Sequence, residues 1–73
     1  MVDVFVREKI VRTNEKIKIS QKEVYEKYVI FCKEQNEQPE SIIWFSRRMN
    51  IFGHPSKQDS RKKRFYAGIK VKD

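Results

Sequence analysis

The chain has 73 residues, 38% hydrophobic and 37% charged, which is material for one small domain and excludes a two-lobed enzyme with a deep cleft. Cys32 is the only cysteine, so no disulfide framework forms within the chain. Seventeen Lys+Arg against ten Asp+Glu leave a net charge of +7, which marks a basic chain and says little more until the charge is located.

Val2, Phe5, Val6 and Ile10 recur at helical spacing, which predicts a first helix over Val2–Arg12. Thr13–Lys16 is a polar break, and Ile17–Ile19 has the β-branched content of a minimal strand. Ser20 followed by Glu23 is a capping box, with Ile19 and Val24 placed as its hydrophobic staple. A helix is therefore expected over 21–35, burying Val24, Tyr28, Phe31 and Cys32 and ending under the influence of Pro39. Ser41 caps a further helix through Met49 or Asn50, with Ile42, Phe45 and Met49 facing inward and Gly53 as its stop. After a polar, cationic turn at 54–63, Phe65, Ala67, Ile69 and Val71 alternate with Arg64, Tyr66, Gly68, Lys70 and Lys72. That alternation predicts one half-buried strand with a wet cationic face. The expected fold is α+β and mainly α: a winged helix-turn-helix of three helices, a short strand and a C-terminal β-hairpin wing, forming a single domain over residues 1–73.

The charge is segregated along this order. Residues 1–40 carry eight basic and eight acidic side chains, whereas residues 41–73 carry nine basic side chains against Asp59 and Asp73. Charge placed for solubility would be mixed over the surface; one-sided placement describes a surface that meets a polyanion. With Ile42, Phe45 and Met49 turned inward, Trp44, Arg47 and Arg48 fall on the exposed side of the second capped helix, with Ile43 on its flank. Arginine there suits bidentate contact with guanine edges or phosphate oxygens, and Trp44 suits the sugar–phosphate backbone or a thymine methyl. Lys57, Arg61, Lys62, Lys63 and Arg64 form the second cationic cluster. Four consecutive cations repel one another unless an anion is near, so they are expected to anchor phosphates from the wing.

Catalytic machinery is not evident. His54 is the sole histidine, Cys32 falls on a buried stripe, and Gly53 and Gly68 form no phosphate loop, so the chain alone is expected to be no enzyme and to need no metal or other cofactor. The longest apolar run, Tyr28–Cys32, is far shorter than the roughly 20 residues that span a bilayer. Asp3, Arg7, Glu8 and Lys9 interrupt any signal-like segment, and a cytoplasmic location without a membrane partner is expected.

Tyr25 and Tyr28, then Phe45, Arg48 and Met49, then Tyr66, Gly68 and Ile69 carry a family likeness over residues 20–71. This stretch resembles the C-terminal domain of poxvirus-type primase–helicases of phages, plasmids, mobile islands and large DNA viruses, which join a primase region to a superfamily 3 helicase. Ile43 and Trp44 stand where that family often has polar residues. The resemblance implies double-stranded DNA as partner, a role at a replication origin or in positioning the helicase, and excision from the C-terminus of a larger protein. It also implies contact with the parent's helicase and primase regions, and self-association through the parent. Two other readings share the residues: a winged helix for protein contact anchored by Ile43 and Trp44, and a small stand-alone transcriptional repressor.

Overall fold

In the computed structural model, which describes residues 1–72, the first helix is shorter than expected: α1 spans Val2–Lys9, and Ile10–Arg12 leave it as an extended strand, β1. Ile10 and Val11 are β-branched, a class that loses side-chain freedom in a helix and packs well on a pleated surface. Val2 and Phe5 are the buried side of α1.

Strand β2 (Lys18–Ser20) leads directly into α2 (Gln21–Glu34). Ser20 Oγ accepts the Glu23 N–H at 3.1 Å, the serine half of the expected capping box. The buried stripe is the expected one, with Gln21 added. The helix ends before Pro39 can act. Asn36 adopts φ 56°, the Asn36 N–H donates to Lys33 O, and the Glu37 N–H donates to Cys32 O at 2.8 Å. This is a left-handed C-terminal motif with asparagine in the place that glycine usually holds.

Helix α3 (Ile42–Ile51) is capped by Ser41, whose Oγ accepts the Trp44 N–H, and is closed in the same way by Gly53 at φ 86°. There the Gly53 N–H donates to Asn50 O and the His54 N–H to Met49 O. Phe45 and Met49 are fully buried, as expected, but Ile42 is not: it is 40% exposed. Ile42 sits in the first turn of α3, where it lines a groove toward the C-terminal hairpin instead of the core.

Strands β3 (Lys57–Gln58), β4 (Arg64–Ala67) and β5 (Ile69–Val71) complete the chain, so the single strand expected over residues 64–72 is broken at Gly68. Strict alternation would bury Phe65, Ala67 and Ile69 together. Instead Tyr66 and Ile69 are buried, while Phe65 and Ala67 are only half-buried. Gly68 at φ 76° resets the phase, because a left-handed residue rotates the strand about its own axis.

The sheets are antiparallel and small: β2–β4–β3, and β1–β5. Ile10 stands opposite Val71 and Arg12 opposite Ile69, whereas Lys18 stands opposite Ala67 and Ser20 opposite Phe65. The segment Thr13–Ile17 therefore bulges opposite Gly68 alone. The Thr13 N–H donates to Gly68 O at 2.8 Å, and the Gly68 N–H donates to Ile17 O at 2.9 Å.

All three helices meet in an aromatic cluster. Phe5 of α1 lies 5.5 Å from Tyr28 and 5.6 Å from Phe31 of α2, and Tyr28 lies 4.8 Å from Phe45 of α3, ring centre to ring centre. Tilted and edge-on rings at these separations add about 0.5–1.5 kcal/mol per pair beyond area burial. The result is a small α+β unit of three helices and two antiparallel sheets. Among the described residues, no helix is long and apolar enough to cross a membrane.

Candidate nucleic-acid interface

The exposed side of α3 is fixed by what the other side buries. With Phe45 and Met49 in the core, Ile43 is 64% exposed and Trp44 55% exposed, on the side predicted for them. Arg47 lies over the Trp44 ring, its guanidinium carbon 5.1 Å from the ring centre, so the two present one flat cationic–aromatic surface. Arg48 does not join them. Its half-exposed guanidinium lies 3.6 Å from the Glu40 carboxylate of the α2–α3 loop and lines none of the grooves described below.

The β3–β4 hairpin brings part of the second cluster, Lys62, Lys63 and Arg64, beside α3. Its tip is ordered by Asp59. The Lys62 N–H donates to Asp59 O and the Asp59 N–H to Lys63 O, a type I turn followed by a left-handed residue, Lys62, at φ 63°. Asp59 Oδ1 also accepts the N–H groups of both Arg61 and Lys63 at 2.9 Å. The main acid of the basic half thus arranges the backbone under three cations, Arg61, Lys62 and Lys63. Arg64 opens β4 and is steered toward α3 by donating to Ser56 Oγ at 3.2 Å.

Three adjoining grooves run between α3, the hairpin and the start of α2. Arg47 and Arg64 face each other across the first, over Ile43 and Ser46. The second continues past Asn50, Pro55 and Ser56. Lys62, Lys63, Arg64 and Lys22 border the third, above Ser20 and Ile42. Among the described residues, no carboxylate lines any of the three. Lys57 lies elsewhere, lining a separate concavity with Arg12 and His54, and Arg61 projects from the exposed tip.

Lys22, Ser56 and Asn50 were not singled out from the sequence. Lys22 did carry a signal. It stands in the first turn of α2, at the positive end of the helix dipole, where a cation is unfavourable unless something anionic approaches. Asn50 and Ser56 carried none, since only the packing of the hairpin beside α3 brings them to the groove.

Burial raises the Tyr66 hydroxyl above the ordinary tyrosine range, keeping it neutral beneath the groove, where it accepts a bond from Gln21 Nε2 at 3.4 Å. Among the described residues, no group of three or more His, Cys, Asp or Glu side chains is placed to hold a metal ion. No protein-family model matches the chain, and the comparison with curated proteins finds no match. The chemistry of the grooves is therefore what the residues themselves supply: cationic donors, a stacked tryptophan and neutral amide and hydroxyl groups.

Proposed function

We propose that the chain is a winged-helix domain that binds duplex DNA, with α3 as the recognition helix and the β3–β4 hairpin as the wing. The order of elements and the β2–β4–β3 pairing agree with that architecture. The observation that carries the reading is the continuous cationic surface of Arg47, Arg64, Lys62, Lys63 and Lys22, with no carboxylate along its grooves. Arg47, backed by Trp44, reaches base edges or phosphates in a major groove, and Ile43 meets apolar edges such as a thymine methyl. The wing cations and Lys22 bind phosphates and set affinity more than sequence preference. The chain itself performs no catalysis in this reading. The resemblance of residues 20–71 to primase–helicase C-terminal domains supports a role in origin binding or in positioning a replicative helicase.

Duplex binding measured against salt tests this. The parent is expected to lose affinity log-linearly with salt, and the Arg47→Gln and Arg64→Gln variants to bind at least about tenfold more weakly. Equal binding by parent and variants would refute it. The exposure of Ile43, Trp44 and Ile51 favours a second reading, a protein-contact surface. In that case Trp44→Ala dissolves an assembly and leaves DNA affinity unchanged.

A further inference from the structure

A concavity of about 400 Å³ opens between β1, the α3–β3 loop and the kinked strand at Gly68. Its charged and titratable lining comes from five segments: Arg12 of β1, Glu15 of the following loop, His54 after α3, Lys57 of β3 and Tyr66 of β4. Two glycines with left-handed backbone, Gly53 and Gly68, border it. The Arg12 guanidinium lies against Gly53, with Nη2 3.6 Å from where a β-carbon would stand. Among the described residues neither Arg12 nor Lys57 forms an ion pair.

We infer that this concavity is a second phosphate site, in which Arg12 and Lys57 hold the oxyanion and His54 donates a third hydrogen bond. Two unpaired cations facing one cavity repel each other, and a phosphate relieves that repulsion while matching the guanidinium fork. His54 responds to the same field: burial and the Arg12 charge hold its imidazole below the ordinary value of 6.5. A bound anion reverses the Arg12 contribution and raises it. The occupant's source follows from position. Pro55 borders both this concavity and the groove of Arg47 and Arg64, so a sugar–phosphate strand leaving that groove passes here next. That part of the inference rests on the DNA-binding reading above. Glu15, which lines the same concavity against Gly68, opposes the anion and weakens the site.

The test uses the full chain in two arms. In the first, imidazole NMR follows His54 during titration with inorganic phosphate. A saturable rise in its pKa that is lost in Arg12→Gln is expected, and no response overturns the site. In the second, duplex affinity is measured against salt for parent, Arg12→Gln, Glu15→Gln and Arg47→Gln. Arg12→Gln should weaken binding and flatten the log–log salt slope by about 0.9, and Glu15→Gln should strengthen binding. If Arg47→Gln weakens binding, while Arg12→Gln does not and His54 ignores phosphate, this inference fails and the DNA reading stands. If the parent binds no duplex while His54 responds to phosphate, the DNA reading fails and the site belongs to free phosphate.

Discussion

Glu40 shows how single residues position α3. The Tyr25 hydroxyl donates to its carbonyl at 2.7 Å, the Tyr28 hydroxyl accepts its N–H at 3.0 Å, and Arg48 pairs with its carboxylate. Two tyrosines of α2 thus grip the residue that enters α3. Burial pushes the Tyr28 hydroxyl up to about 12 from an ordinary 10.0, with the Glu40 N–H bond partly offsetting it. The unfolded chain ionises this group near 10.0, so its contribution to stability is complete below that pH and is lost as pH rises toward about 12. Tyrosinate absorbance of the folded protein should therefore show one ionisation near pH 12 that is missing in Tyr28→Phe. Removing the hydroxyl also strands the Glu40 N–H, at a cost of about 1–3 kcal/mol in urea unfolding.

Elements whose signals are local were legible in the sequence; of those built by distant pairing, β2 and the stretch 64–72 were legible as strands, but β1 and the break at Gly68 were not. Gly68 marks the boundary. Its left-handed φ of 76° gives β4 and β5 separate phases, so Gly68→Ala should cost about 1–2 kcal/mol of stability, read from thermal unfolding. The caps at Ser20 and Ser41 and the stop at Gly53 were all legible, because each is decided within four residues. So was the inward face of α2. Strand β1 was not, because its partner β5 lies nearly sixty residues on and the segment Ile10–Arg12 also fits a helical period. The inward turn of Tyr66 depends on that same kink. In the candidate site, Trp44 and Arg47 were legible as an exposed pair. The diversion of Arg48 to Glu40 was not, because it needs the path of the α2–α3 loop.

Across the whole molecule, a neutral scaffold holds a cationic surface in place. Phe5 is the hub of that scaffold, touching Tyr28, Phe31 and Phe45 while fully buried. Phe5→Ala should cost about 3–5 kcal/mol, much of the stability available to a domain this small, and abolish the cooperative thermal transition near physiological temperature. The surface answers to a different variable. If Lys22, Arg47, Lys62, Lys63 and Arg64 each neutralise one phosphate, these grooves alone should give duplex binding a log–log salt slope near −4 to −5, steeper by the contribution of the Arg12 site where that is also occupied. A slope near zero would mean that the cations meet no phosphates.

The β1–β5 pair has a mechanical consequence. The Lys72 N–H donates to Lys9 O, and Ile10 lies opposite Val71, so the two strands are joined at the same end by which either would be pulled. Tension applied at residues 9 and 72 loads these bonds one at a time, as a zip, rather than together in shear. A load on both ends therefore peels β1 from β5 first. The bulge at Thr13–Ile17 separates this clip from β2, so the peel meets a break in the ladder before it reaches the three-stranded sheet.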